Sequence, residues 1–303
     1  MTDIIVIGAG VAGMTAALNA LRNGKTVLIL EQETLGGQIS FSPRVENFPT
    51  ITQITGMELA DRLYEQVTAL GAEVELEKVE RIEQQGNVFN VISEDDKSFT
   101  ARSVIIATGV KSRRFTIPGE EELEGKGISY CALCDGAFYK GQEVALIGDG
   151  NTALQYAILL SSYCPKVYVC TLFDKFFGDK ALVKVLETKE NIEVVHNISA
   201  IRFEGESELT GVTFKRQDNS EFTLNVKACF VAIGQVPKNE AFKNIVDLDN
   251  EGYIISNETC ATRTLGVFAA GDCRTKDVRQ LTTAASDGAV AGYAASQYID
   301  QNF

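Results

Sequence analysis

Positive charge is what this sequence lacks most. Its 28 lysines and arginines stand against 41 aspartates and glutamates, a formal net charge of -13. Binding to nucleic acid or to an anionic membrane needs a basic surface, so neither is expected here. Histidine is nearly absent as well: the single one, His196, closes the apolar run Ile192 to Val195. With one histidine and no second cysteine pair, no zinc site is expected. No apolar run approaches the roughly 20 residues that cross a bilayer, so no membrane span is expected. The N-terminal Met1-Thr-Asp-Ile-Ile-Val enters a strand at once and leaves no room for a signal peptide, which points to the cytoplasm. Of seven cysteines only Cys131 and Cys134 lie close in sequence. An odd count in a cytoplasmic chain does not read as a disulfide framework. Cys164, Cys170, Cys229, Cys260 and Cys273 read as small buried hydrophobes.

What is present is the profile of a globular protein, 45% hydrophobic and 23% charged, and 303 residues suffice for two domains. Residues 4 to 7 form a short apolar strand that runs into Gly8-Ala-Gly10-Val-Ala-Gly13. A helix over 14–23 follows, then a strand from Thr26 to Leu30 closed by Glu31. This is a dinucleotide-binding unit. Gly8 makes the tight turn, Gly10 lets the backbone approach a pyrophosphate, and Gly13 lets the helix pack on the strand. The helix N-terminus offers unpaired N–H groups to phosphate. Glu31 can accept hydrogen bonds from ribose hydroxyls.

Further along, Gly36-Gly37-Gln38 and Asn47-Phe48-Pro49 lie in loops. Residues 57 to 70 read as an amphipathic helix, 73 to 101 as short strands, and Val104 to Gly109 as a buried strand with a glycine exit. Lys111 to Glu122 reads as a linker. The pattern then restarts: Val144 to Ile147 leads into Gly148-Asp149-Gly150-Asn151-Thr152-Ala153, a helix to about Ser162, and a strand from Val167 to Thr171. Phe230 to Gly234 repeats the strand and glycine exit of Val104 to Gly109. Two copies of one nucleotide-domain plan are therefore expected. The predicted fold is α/β, with two Rossmann-like, three-layer ββα-sandwich domains, the second inserted into the first. The first takes 1–112 and 246–303, and the insert takes 113–245.

Between the two plans lies Cys131-Ala-Leu-Cys134-Asp135-Gly136, a spacing that suits a redox pair, with an acid directly behind it. A flavin is the natural link between an adenine dinucleotide site and a dithiol, because it hands on electrons in pairs. The sequence resembles the low-molecular-weight thioredoxin reductases over nearly its whole length. The resemblance rests on the first glycine motif, Gly36-Gly37-Gln38, Asn47-Phe48-Pro49, Ala107-Thr108-Gly109, the Cys131–Gly136 motif, and Gly271-Asp272-Cys273-Arg274 with Arg279-Gln280 before a helix.

The resemblance implies FAD in the first domain. The contacts would come from Gly8, Gly10, Gly13, Glu31, Gly37, Gln38, Asn47, Thr108 and Gly109, with Asp272 near the ribityl chain and Arg279, Gln280 and Leu281 near the ring. It also implies a homodimer, and a rotation of the insert that shows the dithiol in turn to the flavin and to a protein disulfide. One of Cys131 and Cys134 would attack the disulfide of a thioredoxin and the other would resolve the adduct, with Asp135 shuttling the proton.

One feature departs from that family. Members that use NADPH carry a histidine and two arginines at the end of the insert's second strand, and an arginine four positions on. Those positions fall on Thr171-Leu172-Phe173 and Phe177. A dianionic 2′-phosphate needs charge-assisted partners, so NADPH should be rejected. Asp149 adds a negative charge inside the second glycine turn, whose Gly148, Gly150 and Ala153 then serve strand–helix packing. The expected donor is a reduced ferredoxin, as in the ferredoxin-dependent flavin thioredoxin reductases. Lys111, Arg113 and Arg114 would form its docking patch or an ordinary solvated linker. Three other readings stay open: a reductase using NADH, through Asp174 as ribose acceptor, or NADPH; an oxygen-dependent dithiol oxidase; and a non-enzymatic flavin–disulfide redox sensor.

Overall fold

The computed structural model describes residues 1–42 and 44–303. The chain divides into two compact units, Met1–Lys111 with Val236–Phe303, and Ser112–Gln235.

In the first unit the strand Thr2–Ile7 runs through the centre of a sheet, flanked in parallel by Val27–Glu31 and Ser98–Ile106. Its residues Ile4, Ile5 and Val6 are fully buried, as expected for a strand covered on both faces. Because side chains alternate along a strand, its apolar residues divide between two cores. Ile4, Val6, Ile29 and Ile105 pack toward the helices Val11–Arg22 and Leu281–Asn302. Ile5, Ile7, Leu28, Leu30, Val104 and Ile106 pack against Ile82, Phe89 and Val91 of an antiparallel layer built from Val79–Gln85 and Val88–Ser93. Val267–Ala269 completes the parallel part against the last residues of Ser98–Ile106.

The second unit repeats the plan. Its parallel sheet has the order Ile192–Val195, Lys166–Cys170, Glu143–Ile147, Ala228–Val231, Ile128–Ser129. Val144, Leu146, Val167 and Val169 face the helix Asn151–Leu160. Ala145, Ile147, Cys170 and Cys229 face a three-stranded antiparallel layer carrying Phe203, Val212 and Phe214. The fold is thus α/β with two Rossmann-like three-layer units.

The return to the first unit comes at Val236, ahead of the expected 246. The reason is local packing. Phe242, Ile245 and Val246 sit in the core beside Ile82 and Phe89, and Asn239 is completely buried. The five unpaired cysteines are all buried. Burial pushes the Cys164 and Cys273 thiols up to about 11 and Cys260 up to about 12, so they stay neutral. No helix among the described residues is long and apolar enough to cross a membrane, and none of their His, Cys, Asp and Glu side chains group so as to hold a metal ion.

Candidate active site

The glycine turn of the first unit opens onto a cavity of about 380 Å³ lined by Gly8, Gly10, Glu31, Gly37, Gln38, Thr108, Gly109, Asp272, Gln280 and Leu281. Gly8 has φ +107, and a Cβ there would stand 2.4 Å from the Ala107 carbonyl oxygen. Gly10 caps the helix Val11–Arg22 without any side-chain acceptor, which leaves the first helical N–H groups available to an anion. Gly13 lies behind the lining and packs the helix onto the turn.

Glu31 is only 7% exposed, and its two oxygens accept from the Ala9 N–H at 2.7 Å and the Glu33 N–H at 2.8 Å. It therefore braces the turn, and each oxygen keeps a lone pair for a hydroxyl. Asn47 and Arg279, expected at the cofactor, are not among the residues that line the cavity. The Asn47 amide donates to the Gln280 Oε1 at 3.0 Å, and the Arg279 guanidinium lies 4.0 Å over the Tyr253 ring.

Asp272 reports on what the cavity is built for. Its Oδ1 is buried without a hydrogen-bond partner. Burial pushes this carboxyl up, and Lys276 and Arg279 offset that only in part. A buried acceptor left unpaired is costly. A polyol hydroxyl in the cavity would supply the missing donor. An anion site at the helix N-terminus, a ribose acceptor at Glu31 and a polyol acceptor at Asp272 together fit FAD.

The sequence did not point to Asn239. Its Oδ1 accepts the Thr108 hydroxyl at 3.0 Å, and its amide donates to the Gly252 and Cys273 carbonyls, both at 2.9 Å. It locks a cavity-lining threonine to the loop before Arg274. Asn239→Ala orphans these groups at about 1–3 kcal/mol each. We expect a lower melting temperature and flavin loss on gel filtration; unchanged values of both would refute this role.

In the second unit Cys131 and Cys134 form a disulfide with Cα atoms 5.3 Å apart. The segment 132–135 is a single helical turn capped by Cys131, whose Sγ accepts the Cys134 N–H at 3.1 Å. Cys134 is exposed and Cys131 half-buried, and the exposed apolar residues Leu133 and Phe138 lie in the same stretch. The Asp135 carboxylate accepts the hydroxyl of Ser129 at 2.6 Å, a partner the sequence gave no signal for. On the other side of the strand end, the Tyr130 ring lies 4.3 Å under the Arg114 guanidinium and its hydroxyl donates to Glu120. Arg114 also pairs with Glu124, and Lys111 pairs with Glu33. Two of the three cations expected to form a docking patch are therefore neutralised at home.

The second glycine turn is engaged by its own chain. The Phe177 N–H donates to the Asp149 carbonyl at 2.7 Å, and the Asp179 N–H donates to the Asn151 Oδ1 at 2.6 Å. The segment 177–179 thus lies against the N-terminal end of the helix Asn151–Leu160. Thr171 is fully buried, with its hydroxyl 2.7 Å from both the Phe173 carbonyl and His196 Nδ1. Leu172, Phe173 and Phe177 are exposed, and the two phenylalanines meet edge to face at 5.2 Å. Burial pushes the Asp149 carboxyl up. Leu172, Phe173 and Asp174 also line a groove whose other wall carries Lys215 and Arg216, two cations that the sequence did not place there.

The family model described as pyridine nucleotide-disulphide oxidoreductase matches residues 2–288. A 34.2 kDa protein in the rubredoxin operon of Clostridium pasteurianum is 39% identical over 299 residues, which is 98% of this chain and 97% of that one. The structure of Lactococcus lactis thioredoxin reductase superposes with a TM-score of 0.97 at 34% identity, covering 99% of this chain and 100% of that one. A ferredoxin-flavin thioredoxin reductase from Clostridium acetobutylicum gives a TM-score of 0.55 at 30% identity, covering 99% and 98%.

Proposed function

The chain belongs to the pyridine nucleotide-disulphide oxidoreductase family, and we propose that within it this protein is a flavoprotein thioredoxin reductase that draws its electrons from reduced ferredoxin. The observation that carries the choice of donor is the second glycine turn. Thr171, Leu172, Phe173 and Phe177 stand where the NADPH-using members of the resembled family carry a histidine and arginines, and segment 177–179 lies against the end of the helix near which a pyrophosphate would sit. We place the protein in the cytoplasm as a homodimer, by its resemblance to the family.

FAD in the cavity of the first unit would supply an electron pair to the disulfide. The chain's own residues do the rest. The N-terminus of the helix Val11–Arg22 would hold the pyrophosphate, Glu31 the ribose and Asp272 the polyol chain. Gln280 and Leu281 line the cavity where the ring would lie. Reduction opens the Cys131–Cys134 bond to two thiols. Cys134, the more exposed residue of the pair, attacks the thioredoxin disulfide, with Leu133 and Phe138 as apolar ground for docking. Cys131, whose sulfur is held by the Cys134 N–H, then attacks the Cys134 sulfur and releases reduced thioredoxin. Two electrons and the two thiol protons leave with the product.

One observation favours a second reading. Lys215 and Arg216 face Leu172 and Asp174 across the groove, and a phosphate reached from that side would make the donor NADPH or NADH. Anaerobic addition of each donor to the holoenzyme separates the two. Reduced ferredoxin should bleach the flavin and drive thioredoxin reduction. NADPH or NADH at micromolar concentration should do neither, and bleaching by either would overturn the proposal. Oxygen uptake with small dithiols would instead mark an oxidase, and failure to turn over any thioredoxin a sensor.

A further inference from the structure

We infer that Ser129 is a positioning residue of the thiol–disulfide exchange, holding the Asp135 carboxylate and the Cys131 backbone in one arrangement through a single hydroxyl. The inference rests on the reading that Asp135 carries the exchange proton. Ser129 ends the edge strand Ile128–Ser129, paired through Phe230 to the sheet, and is 6% exposed. Its oxygen accepts the Cys131 N–H at 3.0 Å and donates to the Asp135 Oδ2 at 2.6 Å. The Cys131 carbonyl lies 3.3 Å away but already accepts the Asp135 N–H at 3.1 Å. A hydroxyl has one proton to give, and the shorter, charge-assisted bond takes it. The hydroxyl thus engages one carboxylate oxygen and leaves Oδ1 for the proton.

The step balances as follows. The Cys134 thiol passes its proton to Asp135 as its sulfur bonds to the substrate and the substrate S–S bond breaks. Asp135 returns that proton to the sulfur that leaves. Cys131 then bonds to Cys134, and the second substrate sulfur leaves with the Cys131 proton.

The titratable groups that face Asp135 are Cys131 and Cys134 on its own turn and Tyr139 on the next, with Glu208 beyond Tyr139. The helix packed on this turn, Asn151–Leu160, brings Tyr156 and no charge. Serine is therefore the neutral donor that fixes the orientation of the carboxylate. Without it the carboxylate is free to turn away from the sulfurs, so exchange should slow.

The test uses holoenzyme reduced with dithionite and mixed with oxidised thioredoxin, with quenched thiol labelling as the readout. Ser129→Ala should slow exchange about tenfold to a hundredfold, at or below the low end of what a positioned acid–base group itself contributes. Ser129→Thr, which keeps the hydroxyl, should restore the rate. Ser129→Ala with the wild-type rate, or a slow Ser129→Ala that Ser129→Thr does not rescue, overturns the proposal. Should Ser129→Ala fail to retain flavin, the isosteric pair Ser129→Thr and Ser129→Val carries the same comparison. Wild-type exchange by Asp135→Asn would overturn the role of Asp135 itself, a separate failure.

Discussion

Cys134→Ser abolishes thioredoxin reduction and forms no adduct, whereas Cys131→Ser, reduced and offered oxidised thioredoxin, accumulates a covalent complex: these are the expected results if Cys134 attacks and Cys131 resolves. The asymmetry follows from how the two sulfurs are held. Cys134 is exposed, so a bulky protein disulfide reaches it first. Cys131 is half-buried at the start of the helical turn, with the Cys134 N–H directed at its sulfur. That N–H keeps the sulfur beside Cys134, where the second, intramolecular attack takes place. Without Cys131 the mixed disulfide has no partner to break it. Without Cys134 the sulfur that remains is the less accessible one. Intact-mass analysis reads the outcome directly, since the adduct is heavier by one thioredoxin. A complex trapped by Cys134→Ser and not by Cys131→Ser would reverse the two roles. Turnover by either variant at the wild-type rate would remove the pair from the reaction.

The parts of this molecule legible in its sequence are those set by neighbours along the chain. The strand Thr2–Ile7, its glycine turn and the helix behind it follow from period and from glycine spacing, and so does their repetition from Glu143 to Cys170. The dithiol is legible for the same reason, because both sulfurs and the acid lie on one turn. What escaped depends on contacts between distant segments. Asn239 reaches Thr108 across 131 positions, and nothing near either residue announces the bond. The early return at Val236 is fixed by that burial and by Phe242, where sequence shows only a short stretch with Pro237. The pairing of the candidate docking cations was not legible either: Lys111 and Arg114 each find a glutamate. The missing cations at Thr171 to Phe173 were readable by position. Lys215 and Arg216, arriving from the hairpin of the antiparallel layer, were not.

Gly13→Ala should yield a colourless, destabilised protein. Gly13 has an ordinary helical backbone, so the obstacle is space alone. A Cβ there would stand 1.9 Å from the Gly8 carbonyl oxygen and 3.1 Å from Val6 Cγ1. The oxygen belongs to backbone, and that backbone has nowhere to retreat. Gly8 donates its N–H to the Leu30 carbonyl at 2.8 Å and presses on Ala107 from the other side. The helix Val11–Arg22 must therefore lift from the sheet, against its packing on Leu281–Asn302. The cost should exceed the about 1–3 kcal/mol of ordinary over-packing. Lifting the helix also carries its N–H groups away from the pyrophosphate they are to hold. Gly10→Ala separates the two effects. Its Cβ would meet nothing closer than the Gly36 carbonyl oxygen at 3.8 Å, so the fold tolerates it, but the methyl enters the space that backbone and phosphate share. The expected pattern is apoprotein of normal melting temperature for Gly10→Ala, and loss of both flavin and stability for Gly13→Ala. Melting curves and the visible spectrum of the purified proteins decide it. A yellow Gly13→Ala protein with the melting temperature of the parent would show that the turn yields where this packing says it cannot.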